Sequence, residues 1–267
     1  QQLINFGAKF YFVIAILILG IIGLSFFYVI PWVAEKAVVL IPTEYDDKLS
    51  DGFLLQHVVF KDKDSIASVN LNLFAKELKL NNTKPLNFSV INSKEINAFA
   101  LPDGNIVVYS EILDEMKSYE ELAALIGHEV SHINNRHSMK AICRNLSGYL
   151  FISVILGDAN GVMAVIGDNA NNLQSLSFSR DFERQADEDG FEILKSNKIN
   201  PKGMSSLFSR LKDQSLGIIP EFLSTHPLTE ERIKFMDKMI KENPYSYEGN
   251  SRLQSLFNKI KVVKTEN

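Results

Sequence analysis

Cysteine is nearly absent from this sequence, because Cys143 stands alone among 267 residues. One cysteine excludes an intrachain disulfide and a cysteine-rich zinc cluster. The sequence also has no block of Lys or Arg, and its net charge of −4 argues against nucleic acid as a partner. It has no low-complexity segment and no repeat of solenoid length, which excludes disordered and solenoid classes. Any histidine-based chemistry must come from five residues: His57, His128, His132, His137 and His226.

A long apolar run is present near the start of the sequence. Phe10–Ile30 contains no charged residue, and as a helix it would be about 31 Å long, enough to cross a bilayer. A cleaved signal peptide is the rival interpretation, but its apolar region would normally be shorter. We therefore predict a retained single-pass anchor that contacts the lipid bilayer through residues 10–30. The flanking lysines do not decide the membrane side, and we favour an extracytoplasmic position for the remaining chain.

Beyond the apolar run, helix and strand periods alternate. Ile106–Tyr109 is a β-branched run that follows the turn signal at 102–104, which predicts a β-hairpin over residues 97–110. Ser118 followed by Glu121 is a capping box, so a long helix should begin there. The other predicted elements are strands at 86–91 and 96–100 and helices at 64–80, 179–195, 202–214, 229–241 and 250–260.

The segment Gly148–Gly167 is apolar but is interrupted by Gly-Asp-Ala-Asn-Gly at 157–161. This interruption makes the segment too short on either side for a second membrane span. Two short buried helices or a hairpin on the membrane surface both fit the pattern. We favour the buried helices, because most short apolar runs belong to a protein core.

The predicted long helix carries the sequence His128-Glu129-Val130-Ser131-His132, an HExxH motif. At 100° per residue the two histidines lie about 40° apart, so both imidazoles project from one face. Zinc binds neutral imidazole nitrogens, and this spacing supplies two of them. Glu129 lies beside that pair, where it could accept a proton from a water molecule on the metal. A helix that carries two histidines by chance remains the alternative.

A catalytic zinc site needs a third protein ligand. In the HExxHxxGxxH class this ligand follows six residues after the second histidine, but Asn135 and Ser138 replace the required Gly and His, so that class is excluded. His137 lies about 140° round a continuing helix from His132, which predicts a hydrogen-bonded residue on the helix surface and not a ligand.

The helix predicted at 179–195 offers two acidic residues in an unusual position. Glu183 and Asp187 lie one turn apart on its apolar face, where a buried carboxylate without a partner costs several kcal/mol. Zinc for Glu183 and a ligand imidazole for Asp187 would satisfy both acids. Arginine or helix N-termini could bind them instead. The small residues Ala186 and Gly190 on the same face would let another backbone approach closely.

Three motifs in this order carry a family resemblance: HEVSH at 128–132, SRDFERQAD at 179–187 and STHPLTEERI at 224–233. Together with NAFALPDGNIVVYSEIL at 97–113, they resemble the M48 family of zinc metallopeptidases, which includes membrane-bound and single-span members. The resemblance covers residues 92–235. It implies one zinc ion held by His128, His132 and Glu183, with Glu129 as catalytic base and Asp187 as the orienting partner of a ligand.

The third motif contributes His226 and Arg232. A peptide-hydrolysing site needs a donor for the negative oxygen that forms during attack, and these two residues have suitable chemistry. His226 could alternatively occupy the open position on the zinc until substrate displaces it, or it could be an ordinary loop histidine. Arg232 could instead pair with Asp187 or another buried acid.

These observations predict an α+β, mainly helical fold: a gluzincin-like metallopeptidase domain with a small β-sheet beside the active-site helix, and a transmembrane helix in front. The predicted domains are an anchor over 1–36, a linker with a helical part over 37–91, and the peptidase over 92–267. The predicted function is a membrane-anchored zinc endopeptidase that hydrolyses unfolded or membrane-associated polypeptides in protein quality control.

Two other functions are compatible with parts of the pattern. A non-catalytic scaffold or chaperone-like protein could retain the zinc for stability alone, although Glu129 is not needed for that. An intramembrane protease is disfavoured, because polar residues such as Glu120, Glu121 and Arg136 surround the motif. For an endopeptidase, the strand edge at Asn97–Ala100 could bind an extended substrate by strand addition.

Overall fold

The computed structural model of the chain describes residues 2–56, 62–214 and 220–262. His57 therefore lies outside the described residues. Contacts divide the chain into two compact units. The first comprises residues 1–42 and 139–168, and the second comprises residues 43–138 and 169–267. The domain boundaries expected from the sequence stay a prediction.

Helices account for most of the described residues, which agrees with the mainly helical fold predicted from the sequence. Their bounds are α1 Gln2–Leu24, α2 Ile30–Lys36, α3 Glu44–Gln56, α4 Ser65–Lys76, α5 Ser110–Glu115, α6 Tyr119–Asn134, α7 His137–Asn145, α8 Ser147–Leu156, α9 Ala159–Asp168, α10 Arg180–Ser196, α11 Lys202–Gln214, α12 Glu221–Thr225, α13 Glu230–Glu242 and α14 Ser251–Val262.

The four strands are β1 Lys63–Asp64, β2 Asn87–Ile91, β3 Ala98–Ala100 and β4 Asn105–Tyr109. They form one sheet in the order β1-β2-β4-β3. The predicted hairpin is confirmed, since β3 pairs antiparallel with β4 with Phe99 opposite Val107. Strand β2 runs parallel to β4 on the other side. Strand β3 is consequently an edge strand of the described sheet.

In the first unit, Lys9–Leu40 forms a continuous helical stretch of 32 residues. A π-helical turn at Ser25–Val29 joins α1 to α2, and a 3₁₀ turn at Ala37–Leu40 ends the stretch. Most of its apolar side chains are exposed. Among the described residues it is the single helix whose length and composition suffice to cross a membrane, and it includes the predicted span at 10–30.

The segment at 148–167 forms two short helices, α8 and α9, as the sequence predicts. The bend between them is at Gly157, whose φ of +72° is readily adopted by glycine. The prediction that these helices are buried is wrong for α8, because several of its large apolar side chains are exposed. These are Tyr149, Phe151, Ile152, Ile155 and Leu156. One side of α8 packs against α2 and α9, and that contact leaves the opposite side uncovered.

Helix α6 lies at the centre of the second unit. It packs against α10, α11, α14 and β3, and nearly all of its side chains between Tyr119 and Ile133 are buried. The sequence predicts one apolar face behind and one histidine face in front. The histidine face is also buried, because α10 covers it.

Helices α6 and α10 cross with their backbones in contact. A Cβ atom placed on Gly127 would lie 3.3 Å from the Cα of Gly190, so each glycine occupies space that a side chain would need. The sequence prediction of a close approach at Gly190 is thus confirmed. The crossing brings His128, the next residue on α6, towards the acidic residues of α10.

Candidate metal centre

The local sequence sets where α6 begins and therefore where its histidines lie. Ser118 is the N-cap, and its hydroxyl accepts a hydrogen bond from the amide of Glu121, as the capping box predicts. The Glu121 carboxylate accepts a hydrogen bond from the amide of Lys117 and binds the guanidinium of Arg210 at 2.8 and 2.9 Å. This anchor fixes the first turn of α6, and the histidines follow two to three turns later.

Four buried side chains from three segments converge beside α6. His128 and His132 come from α6, Glu183 comes from α10, and His226 follows α12. One potential ligand atom from each lies within 4.8 Å of the others. The structure therefore brings together the three zinc ligands implied by the resemblance and adds His226 to them.

The spacing of these atoms suits a tetrahedral cation. The Nε2 atoms of His128 and His132 are 3.1 Å apart, and His226 Nδ1 lies 3.3 Å from His128 Nε2 and 3.1 Å from Glu183 Oε1. The carboxylate oxygens of Glu183 lie 3.5 Å from each of the two ring nitrogens on α6. A tetrahedron with bonds of about 2.0–2.1 Å has edges of about 3.3–3.4 Å. The donor set therefore fits zinc in both chemistry and separation.

The charge balance of the centre also suits a divalent cation. Glu129, Glu183 and Asp187 are almost completely buried; Arg232 contacts Glu183 and Asp187, and the buried His226 lies within ion-pair distance of Glu129 and Glu183. With the histidines neutral, as metal ligands must be, three ionised carboxylates and one guanidinium would leave a formal charge of about −2, and uncompensated buried charge is costly. Both oxygens of Glu129 lack a hydrogen-bond partner in the described structure. Zinc with a water molecule would supply the missing charge and donor.

Burial and neighbouring charges shift the pKa values of Glu129, Glu183 and His132 in the protein without a cation, and the shifts differ in direction. Burial raises the pKa of Glu129, although His226 and His128 act against it. Burial also disfavours the charged form of Glu183, but His226, His128 and Arg232 outweigh it and lower the pKa of this carboxyl to about 2. Burial lowers the pKa of His132 well below its ordinary value, which favours the neutral ring that binds metal.

Arg232 and Asp187 form the layer behind the ligands. Arg232 donates from Nε and Nη2 to the two oxygens of Asp187, each at 2.8 Å, and its Nη1 lies 2.6 Å from Glu183 Oε2. Asp187 Oδ1 in turn lies 3.1 Å from His128 Nδ1, within ion-pair distance although outside good hydrogen-bond alignment. The structure thus has the arrangement that the sequence offered as an alternative for Arg232, which is pairing with buried acids.

His137 differs from its sequence prediction. It is completely buried, and its Nδ1 lies 3.0 Å from Nδ1 of His132, so it is not a residue of the helix surface. A surface position would require that the helix continues beyond the motif. Instead α6 ends at Asn134, and Arg136 adopts a left-handed conformation with φ +52° while it pairs with the buried Asp46 at 2.9 Å. The chain therefore turns back, and His137 contacts the ligand His132.

Aromatic rings around the centre were not found from the sequence. Phe178 stacks on His132 with 4.1 Å between ring centroids, and Phe222 stacks on His226 at 4.6 Å. Phe182 stacks on His137 at 4.5 Å. Each phenylalanine is a few residues from a motif residue, but stacking depends on the helix crossings, for which the sequence holds no local signal. The rings restrict rotation of the imidazoles.

Comparison with known proteins matches residues 61–240 to peptidase family M48. The chain belongs to this family. Peptidases of family M48 use a metal, typically zinc, and membership supports a metallopeptidase role for the chain.

Several relatives share about a third of the aligned residues with this M48 chain. It is 31% identical to metalloprotease YcaL of Escherichia coli (strain K12) over 175 residues, covering 64% of this chain and 68% of YcaL. It is 32% identical to the β-barrel assembly-enhancing protease of Yersinia pestis, covering 56% of this chain and 33% of that protein. It is 33% identical to the mitochondrial metalloendopeptidase OMA1 of Arabidopsis thaliana, covering 55% and 30%. The chain thus aligns with about a third of the length of the latter two relatives.

Proposed function

We propose that this chain is a membrane-anchored zinc endopeptidase that cleaves unfolded or membrane-associated polypeptides. The observation that carries the proposal is the buried cluster of His128, His132, Glu183 and His226, with the Glu129 carboxylate, which lacks a hydrogen-bond partner, beside it. A site that only stabilised the fold would need the ligands but not a second, unliganded carboxylate. One zinc ion per chain accounts for both features.

In the proposed reaction, His128, His132 and Glu183 would hold the metal. A zinc ion bound there would supply Lewis-acid chemistry, because it would lower the pKa of a water molecule and polarise a peptide carbonyl. Glu129 accepts the proton from the attacking water and returns it to the leaving amine nitrogen. Burial raises the pKa of Glu129, which brings this carboxyl closer to the value that suits a base near neutral pH.

We propose that His226 would help to hold the metal in a resting form of the enzyme. Its Nδ1 lies 3.1–3.3 Å from atoms of Glu183 and His128, which supports this role over that of an ordinary loop histidine. A catalytic zinc keeps one position open, so His226 would have to leave before substrate enters. After leaving, it could still act as the donor to the substrate oxygen. Arg232 holds Asp187 and Glu183 in place through its three nitrogens.

We propose that substrate binds along the edge strand β3. Asn97 accepts a hydrogen bond from Tyr109 through its backbone oxygen, and Leu101 donates one to Asn105, so these residues face β4. Alternation then turns the backbone groups of Ala98 and Ala100 away from β4, towards the position of the proposed substrate strand. The side-chain amide of Asn97 is buried without a partner and could bind the same backbone. Recognition of backbone atoms would favour unfolded segments of varied sequence.

Membrane attachment is proposed through Lys9–Leu40, with residues 10–30 in the bilayer. The exposed apolar side of α8 supports a second contact with lipid. Gly148 at the start of α8 lies against the ring of Phe26, because a Cβ placed on this glycine would be 3.1 Å from that ring. The apolar surface of the span therefore continues onto α8. This arrangement favours the membrane-surface alternative for the hairpin, and the extracytoplasmic side remains our preferred location.

The proposed function is tested by Glu129→Gln in the full-length chain purified in detergent. This variant keeps the size of the side chain but removes the base, so zinc content should stay stoichiometric while cleavage of an unfolded protein falls by about 10²–10⁴-fold. Glu183→Ala is the matched contrast, because it should lose zinc and activity together. Metal analysis and a turnover assay on the same samples separate the two effects.

Two outcomes would contradict the proposal. Equal cleavage by Glu129→Gln would remove this residue as the base. Zinc binding without any cleavage by the wild-type chain would favour the non-catalytic scaffold. Absence of zinc from the wild-type chain would contradict both functions.

A further inference from the structure

His137 and three polar residues form an ordered set of hydrogen bonds that ends on a proposed zinc ligand. We propose that Asp189, Asn135, Gln185 and His137 are positioning residues, whose hydrogen-bond chain fixes the ring hydrogen of His132 on Nδ1 and leaves Nε2 free for the metal. The inference rests on the proposed zinc site, and it assigns a role to residues outside the ligand set.

The direction of the chain is set at its outer end by a carboxylate. Asp189 Oδ2 lies 2.7 Å from the side-chain nitrogen of Asn135, and the same nitrogen donates to the backbone oxygen of Ser131 at 2.9 Å. A carboxylate and a carbonyl can only accept, so the Asn135 amide must present its nitrogen to both. Its side-chain oxygen consequently faces the other way and must accept.

The side-chain oxygen of Asn135 determines the direction of the next two hydrogen bonds. Gln185 Nε2 donates to Asn135 Oδ1 at 2.9 Å, so the Gln185 oxygen faces His137, 3.1 Å from its Nε2. An amide oxygen only accepts, so His137 must carry a hydrogen on Nε2. In the neutral ring, His137 Nδ1 is then a lone-pair acceptor. It lies 3.0 Å from His132 Nδ1, which must be the donor.

The chain of hydrogen bonds therefore leaves no hydrogen on Nε2 of His132, the nitrogen that would bind the metal. His132 Nε2 is the atom that lies 3.1 Å from His128 Nε2 in the proposed ligand cluster. A hydrogen on that nitrogen would have to be lost before zinc could bind, and the chain disfavours this tautomer. Phe182, which stacks on His137 with an interplanar angle of 11°, keeps the ring in the required plane. Asp187 lies at the corresponding nitrogen of His128, so the two imidazoles have different orienting partners.

The first test asks which nitrogen of His132 carries the hydrogen in the metal-free protein. Full-length chain labelled with ¹⁵N-histidine is stripped of metal by chelation, and long-range ¹H–¹⁵N correlations are recorded in detergent, with His132 assigned by substitution. The expected result is a hydrogen on Nδ1 of His132 and on Nε2 of His137. A hydrogen on Nε2 of metal-free His132 would overturn the proposal.

The second test measures zinc affinity by competition with a chromogenic chelator. His137→Phe keeps the stacked ring but removes the acceptor, and affinity should fall by about 10–100-fold, the usual effect of losing an orienting partner of a ligand. Gln185→Leu should weaken binding in the same direction, whereas Gln185→Glu keeps the acceptor for His137 but loses the donor to Asn135, and it should bind zinc more tightly than Gln185→Leu. Ser196→Leu on the same helix is the control outside the chain of hydrogen bonds.

The exposed position of Gln185 keeps the test usable if His137→Phe does not fold. Affinities of Gln185→Leu and Gln185→Glu that both equal the wild type would overturn the proposal. Failure of the wild-type chain to bind zinc would instead contradict the proposed function, so the two failures are distinguishable.

Discussion

Individual residues at the centre show why the charge balance matters. Glu183 and Asp187 lie on the apolar side of α10, where buried acids need partners. Arg232 provides one partner for both, at 2.6 and 2.8 Å, yet Glu129 remains without any hydrogen-bond partner. Arginine therefore compensates only part of the buried negative charge, and His226, which lies within ion-pair distance of Glu129 and Glu183, or the proposed zinc ion would compensate more of it.

His226 gives a prediction at this scale. His226→Phe should retain the ring that stacks on Phe222 but remove the nitrogen that closes the ligand set. Because a catalytic zinc needs an open position, we expect a higher basal rate of cleavage and a several-fold weaker affinity for zinc. The rate is measured with an unfolded protein substrate at saturating zinc, and the affinity by chelator competition.

A decrease in the cleavage rate would identify a different role for His226. If His226→Phe binds zinc like the wild type but cleaves slowly, His226 acts as a donor to the substrate and not as a resting ligand. Phe222→Leu is the control, because it removes the stacking ring and leaves the nitrogen in place.

Among the elements, the crossing of α6 and α10 sets the distance between the histidines and Glu183. Gly127→Ala would place a Cβ 3.3 Å from the Cα of Gly190, and a backbone atom cannot easily move away. Overpacking costs about 1–3 kcal/mol, which should outweigh the gain of about 1 kcal/mol in helix propensity. We expect a lower free energy of unfolding and weaker zinc binding, measured by denaturant titration and chelator competition.

Gly167→Ala is the matched control for that prediction. A Cβ on Gly167 meets no atom within 4 Å, so only the propensity gain should remain and zinc affinity should not change. If Gly127→Ala is as stable as this control and binds zinc normally, the close backbone contact does not set the ligand geometry.

The edge strand β3 gives a second prediction for an element. Ala100→Pro removes an outward-facing N–H without removing a bond to β4, so it should lower kcat/KM by at least about 10-fold by weakening substrate pairing. Zinc content should remain stoichiometric. Ala100→Val keeps the N–H and serves as the control. Unchanged kcat/KM in the proline variant would exclude strand addition at this position.

For the whole molecule, the proposed attachment to lipid extends beyond the N-terminal helix. Leu156 is 75% exposed at the end of α8, a large exposure for an apolar side chain in water. We expect a fluorescent label on Leu156→Cys, in a Cys143→Ser background and in reconstituted vesicles, to be quenched by spin-labelled lipid. A label on Ser206→Cys is the control and should not be quenched. Equal quenching at the two sites would contradict a lipid contact of α8.

Much of this organisation could be predicted from local patterns. The apolar run at 10–30, the cap at Ser118 and the hairpin at 97–110 follow from periodicity and turn chemistry, which act within a few residues. The paired histidines follow from helical geometry, and the need of Glu183 and Asp187 for partners follows from the cost of buried charge. Each of these signals is contained in one short segment.

Other features depended on segments that are distant in sequence. His137 is buried because the chain makes a left-handed turn at Arg136. Arg136 pairs there with Asp46, which lies 90 positions earlier in the chain. The pairing of Arg232 with Asp187 and the exposure of α8 likewise depend on which helices pack together. A local pattern determines the secondary structure of a segment and the face on which each side chain lies. The partners of those side chains depend on how all helices and strands pack together, which no single segment determines.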